Sequence, residues 1–204
     1  MLDRRRFLTL AAAFAAPLGA AEEGFEPLFD GASLAGWDGD ESIWRVEDGC
    51  IVGRSPGIRK NVFLATAQRY QDFVLRLEVR LLRDIGNSGV QFRSERDPNS
   101  TEMIGYQADI GPGWWGNLYD ESRRRKNLAE ADPKLIEQVV RKDDWNDYEV
   151  RAEGGSIRLT LNGRTTVEYK EPDAAMARSG RIAVQVHAGP PLEVRFRNVR
   201  LRKL

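Results

Sequence analysis

The sequence predicts an all-β sandwich of two antiparallel sheets, arranged as a jelly roll. Three observations lead there. Short apolar–polar alternating runs recur along nearly the whole chain, two-residue turn signals separate many of them, and helical periodicity is scarce. A chain of 204 residues buries enough apolar surface for one core without disulfides or metal staples. Its 31 basic and 31 acidic residues are interspersed, which argues against a nucleic-acid-binding stripe or an acidic tail. Cys50 is the single cysteine, so no intrachain disulfide forms, and it is expected to be a small buried apolar residue.

In chain order, the first element is an export signal. Arg4-Arg5-Arg6-Phe7-Leu8 opens it, Leu8 to Ala20 is an apolar run too short for a mature membrane helix, and Gly19 and Ala21 suit a signal peptidase. The Arg-Arg-x-Phe-Leu order resembles a twin-arginine signal, which carries folded cargo. The expectation is a signal peptide over residues 1–21 and one domain over 22–204, exported to the periplasm or beyond the cell. No second stretch approaches membrane length, so no membrane contact is expected after cleavage.

Strands are predicted at Trp44–Val46, Cys50–Arg54, Asn61–Thr66, Phe73–Leu82, Val90–Ser94 and Tyr106–Ile110. Five more follow at Tyr148–Ala152, Ile157–Leu161, Thr165–Tyr169, Arg181–His187 and Leu192–Leu201. Asp48-Gly49, Gly154-Gly155 and Asn162-Gly163 are hairpin turns, because two-residue loops need positive φ and these residues supply it. Pro133 opens a short helical segment at Lys134–Val140, within a stretch from Asn117 to Asp144 that carries no clear strand.

Alternation assigns faces, since successive strand side chains point to opposite sides. Phe73, Leu75, Leu77, Val79 and Leu81 share one face, and Arg76, Glu78 and Arg80 the other. By the same rule Gln91, Arg93, Gln107, Asp109, Gln185 and His187 face outward. A merely solvated face more often carries Lys, Glu and Thr. Amides and a guanidinium offer the fixed donor–acceptor pairs that vicinal sugar hydroxyls need, and Trp114-Trp115 could stack on a pyranose. His187 is the only histidine, so no two-histidine metal motif exists. No nucleophile elbow or phosphate-binding glycine loop is present. Glu121 with Arg123, Arg124 and Arg125 forms a charged cluster that is either a solvated loop or the rim of a site.

Several blocks carry a family resemblance: Leu28-Phe29-Asp30-Gly31, Gly36-Trp37, Trp44 to Gly49, Gly86 to Arg93 and Gly105 to Ile110. Further on come Trp115 to Glu121, Asp144 to Tyr148, Leu161-Asn162-Gly163 and Gln185 to Gly189. In order and spacing the chain from Phe25 onward resembles the 3-keto-disaccharide hydrolases. The resemblance implies a concanavalin A-like jelly roll and cleavage of glycosidic bonds in sugars oxidised at C3. A C3 ketone acidifies the C2 proton, so a base can remove it while the C1 substituent leaves, and water addition completes a net hydrolysis. Such a route needs a base, a donor at the ketone oxygen and an acid for the leaving oxygen.

On this basis His187 or Asp109 is expected as base and Glu121 as acid or rim contact. Arg93, Gln107, Gln91, Gln185, Trp115 and Arg124 are expected to bind an oxidised (3-keto) carbohydrate. A divalent metal on Asp109, His187 and Glu78, or Glu121, would act as Lewis acid; no organic cofactor is expected. The alternatives are a non-catalytic carbohydrate-binding module and a scaffold of the cell envelope that presents its aromatic pair to a partner.

Overall fold

A computed structural model describes residues 22–204; the expected signal peptide lies outside them. Two antiparallel sheets pack face to face. The back sheet runs, in spatial order, β13 (Arg164–Lys170), β12 (Ser156–Leu161), β11 (Asn146–Glu153), β6 (Phe73–Leu81), β15 (Leu192–Lys203), β4 (Cys50–Ser55) and β3 (Trp44–Glu47). The short β1 (Glu26–Pro27) also pairs with β15. The front sheet runs β10 (Lys126–Ala129), β9 (Leu118–Glu121), β8 (Met103–Ile110), β7 (Ser88–Arg96), β14 (Arg181–Val186), β5 (Val62–Thr66) and β2 (Trp37–Asp38).

The alternating pattern decides which faces meet. In β6 the burial alternates from Leu75 onward, with Leu75, Leu77, Val79 and Leu81 inside. Val90, Phe92, Tyr106, Ala108, Ile182, Val184 and Val186 answer from the front sheet. Phe73 meets Phe92 edge to face at 6.4 Å between centroids, and Phe92 stacks on Tyr106 at 5.6 Å. Each such buried aromatic contributes about 1.5–3 kcal/mol. The back sheet's outer face is a lattice of ion pairs, among them Arg76–Glu149, Arg54–Glu193 and Arg158–Glu168.

All eleven strands expected from the sequence are present, and the turn at Asn162-Gly163 has φ of 48° and 76°, as a two-residue hairpin requires. The stretch expected to lack strands is corrected. It holds β9 and β10 as well as one helix, α1 (Pro133–Val139), capped by Asp132 accepting from the Lys134 N–H at 2.9 Å. β9 and β10 are four residues each, too short for alternation to stand out from their charged surroundings. Cys50 is buried, and burial raises its thiol pKa, which suits an inert core position.

One departure from regular pairing shapes the site. The β7–β8 ladder shifts register between Phe92 and Glu95, where Arg93 has φ 48° and Gly105 φ 155°. This bulge bends the outer half of the hairpin across the exposed face of its own sheet. Met103 packs there with Phe63, Ala65 and Ala183 in a second, small apolar cluster. At the far edge Arg96 Nε donates to Asp38 Oδ2 at 3.1 Å.

Candidate functional site

Beneath that bent hairpin the outer face of the front sheet carries a directed ladder of side chains. Ser94 Oγ donates to Gln91 Oε1 at 2.6 Å, Gln91 Nε2 to Gln107 Oε1 at 2.9 Å, and Gln107 Nε2 to Asp109 Oδ1 at 2.9 Å. Strand register sets the spacing: Gln91 lies opposite Gln107, and Gly89 opposite Asp109. Gly89 is required because a Cβ there would sit 2.4 Å from the Gln107 side chain.

The ladder ends on a carboxyl group that is only 2% exposed. Burial pushes the Asp109 pKa up to about 8; the Gln107 hydrogen bond opposes the rise and the nearby Glu121 adds to it. Because Gln107 donates to Oδ1, the proton of the neutral acid resides on Oδ2, which has no protein partner among the described residues. Burial likewise raises the Glu121 pKa, helped by Glu102. Gln185 Nε2 approaches Glu121 Oε2 at 3.5 Å, while Gln185 Oε1 is enclosed with no partner.

His187 follows β14 directly. Its Nδ1 lies 2.6 Å from the Ala188 carbonyl, so in the neutral ring Nδ1–H donates there and Nε2 keeps its lone pair. The adjoining Ala188 N–H donates to Asn61 Oδ1 at 2.8 Å, and Asn61 Nδ2 donates to Glu102 Oε2 at 3.0 Å. Glu102 and Asn61 were not singled out in the sequence. Glu102 comes from the bent hairpin, whose path alternation cannot show.

The face therefore brings together Gln91, Gln107, Asp109 and Gln185, with Glu121 beside them. Four other expectations are corrected. Arg93 does not share the face: the bulge turns it to the sandwich edge, where it donates to Gln71 O, Gly154 O and Asp72 Oδ1, each at 2.7 Å. It ties the front sheet to the back sheet. Trp115 is a core residue, 4% exposed, with Nε1 donating to Asp84 Oδ1 at 3.2 Å; its neighbour Trp114 is the exposed one. Arg124 is held by Asp120 and by Glu171, at 2.8 Å to Oε2, beside the Tyr106 ring. Burial would raise the Glu171 pKa, yet hydrogen bonds from Arg124 and Tyr106 outweigh it and bring the pKa down to about 2.

Glu78 lies on β6 of the other sheet, paired with Arg197 at 2.6 Å, and cannot join Asp109. Among the described residues no group of three or more His, Cys, Asp and Glu side chains is placed to hold an ion. The ligand set anticipated for a divalent metal does not converge.

The family model described as 3-keto-alpha-glucoside-1,2-lyase-like domain matches residues 24–202. A Parabacteroides distasonis protein described provisionally as a glycosyl hydrolase superposes with a TM-score of 0.70 at 21% identity, covering 89% of this chain and 94% of its own. The carbohydrate-binding module CBM66 from Bacillus subtilis gives 0.60 at 17% identity, covering 82% and 96%. A Bacillus subtilis protein of galectin-like fold gives 0.61 at 12%, covering 83% and 90%. At these identities the structural likeness speaks to the fold. No curated protein sequence matches at a significant level.

Proposed function

The chain belongs to the 3-keto-α-glucoside-1,2-lyase-like family, and from that membership we propose that its front sheet cleaves glycosidic bonds in 3-keto-glycosides and 3-keto-disaccharides. The observation that carries the reading is Asp109: a buried carboxyl at the end of an amide ladder, with its pKa up to about 8, its proton on a free oxygen and a histidine just past the end of the next strand but one. A buried carboxyl displaced this far from its ordinary range, with a second acid adding to the rise, is a functional-site candidate on physical grounds.

The chemistry divides as follows. His187 Nε2 takes the C2 proton of the oxidised ring. Neutral Asp109 donates from Oδ2 to the ketone oxygen, stabilising the enolate, as a carboxylic acid held neutral by an apolar site can. Electrons then return from the enolate, the C1–O bond breaks, and Glu121, protonated more readily than an ordinary glutamate, gives its proton to the leaving oxygen. The product is a C1=C2 enone plus the free alcohol, and water addition across that double bond yields net hydrolysis. Gln107 orients Asp109, and Gln91 with Ser94 orients Gln107.

A second reading, a module that binds carbohydrate without cleaving it, draws support from the likeness in fold to the carbohydrate-binding module CBM66. Incubation with a 3-keto-glucoside and with the unoxidised glucoside separates the two. The enzyme is expected to release aglycone from the oxidised substrate alone. Binding with no release from either would leave the module.

A further inference from the structure

The carboxyl groups of this face, Asp109, Glu121 and Glu102, are held by amides and a hydroxyl, and among the described residues none of them forms an ion pair. On the back sheet, by contrast, Glu47, Glu78, Glu149 and Glu193 each accept from at least one arginine, and so does Glu171 beyond β13. At the site, Asp109 accepts from Gln107, Glu121 from Ser122 and Gln185, and Glu102 from Asn61. The two arginines that could have faced a ligand, Arg93 and Arg124, point away and are spent on Asp72, Asp120 and Glu171. Arg125, whose charge reaches Tyr119, is exposed to solvent and has no ion-pair partner at the site.

A second observation points to a ligand. Gln185 is fully buried, its amide nitrogen approaches Glu121, and its Oε1 is enclosed without a donor. An enclosed, unpartnered acceptor is costly, and a group that donates to it recovers that cost. Asp109 and Glu121 carry protons of their own in the proposed reaction, so Glu102 and the orphan acceptor are what call for donors; a carboxylate, sulfate or phosphate on the ligand supplies only further acceptors and, against Glu102, like charge.

Resting on the proposed reading of this face as a 3-keto-glycoside site, we propose that the site selects its sugar by charge: it takes neutral or amine-bearing oxidised glycosides, a hydroxyl or ammonium donating to Gln185 Oε1 and Glu102, and rejects uronic acids and sulfated or phosphorylated sugars. Glu102 is a specificity determinant, held in place by Asn61. A like charge set against it costs on the order of a hundredfold in affinity.

The test compares kcat/KM for a 3-keto-glucoside, its 3-keto-glucuronide and its 6-amino-6-deoxy counterpart, in wild type, E102Q and, as a second variant, E121Q, with thermal unfolding confirming that each is folded. Expected is a glucuronide value about a hundredfold below the glucoside, an amino sugar at or above it, and a glucuronide-to-glucoside ratio that rises roughly tenfold in E102Q. A glucuronide within threefold of the glucoside, or a ratio unmoved in both variants, overturns the charge rule. If no 3-keto-glycoside is cleaved, the catalytic reading fails by itself. The charge rule is then read from calorimetric binding of the same three sugars, where equal affinities or no binding at all overturn it.

Discussion

At the scale of single residues, Asp109 makes the sharpest claim. Its folded-state pKa of about 8 lies above the ordinary value near 4, so the folded protein keeps a proton that the unfolded chain releases. Stability from this group is fully present below about pH 4 and is lost as pH rises toward 8. Asp109→Asn does not titrate, so its melting temperature relative to wild type is expected to climb across that window, reaching about 4 °C or more above it near pH 8. Activity moves the opposite way. If neutral Asp109 donates to the ketone, wild-type kcat/KM falls as pH passes about 8, and that limb is missing in the variant. Arg93 gives a contrasting expectation. Its substitution by alanine removes three hydrogen bonds and leaves Asp72 with only the Gly154 N–H, so chemical denaturation should show a loss of about 3 kcal/mol. A Michaelis constant that rose with no loss of stability would return Arg93 to the ligand.

At the scale of elements, the β7–β8 hairpin does most to make the site, and its bulge rests on small residues. A Cβ on Gly105 would lie 2.1 Å from Ser94 Oγ, and Ser94 starts the ladder that ends at Asp109. Gly105→Ala is therefore expected to cost about 2 kcal/mol or more and to lower turnover, measured by unfolding and by aglycone release. The milder Gly89→Ala is expected to displace Gln107 and lower turnover with less effect on stability. The same hairpin shows where sequence reasoning stops. Alternation placed Gln91, Gln107, Asp109 and Gln185 correctly, because regular strands obey a period of two. It misplaced Arg93, one residue past the last regular pair, because a bulge breaks that period and only the structure locates it. Trp115 was misread for a related reason: in the Gly111–Gly116 turn no periodicity says which of two adjacent tryptophans is buried. Glu102 and Asn61 carry no pattern of their own and meet only because the hairpin folds over.

At the scale of the whole molecule, the sandwich divides labour between its sheets. The back sheet's outer face is neutralised by ion pairs, while the front sheet's outer face concentrates buried amides and unpaired acids. The eleven strands and the layer arrangement were legible because alternation repeats over most of the chain; the short β1, β2, β9 and β10 were not, having too few residues to alternate. No helix among the described residues is long and apolar enough to cross a membrane. For the segment before Glu22 we propose twin-arginine export. Residues 1–30 fused to a reporter should reach the periplasm only in cells with that pathway, and export in its absence would assign an ordinary secretory signal.

The central claim is that Asp109 and His187 together act on a C3-oxidised sugar. The most direct measurement is the initial rate of aglycone release from one 3-keto-glucoside by wild type, His187→Ala and Asp109→Asn, each shown to be folded. Loss of an acid or base group is expected to lower the rate by about a hundredfold to ten-thousandfold in either variant. Wild-type rates in both variants would contradict the assignment of chemistry to this face.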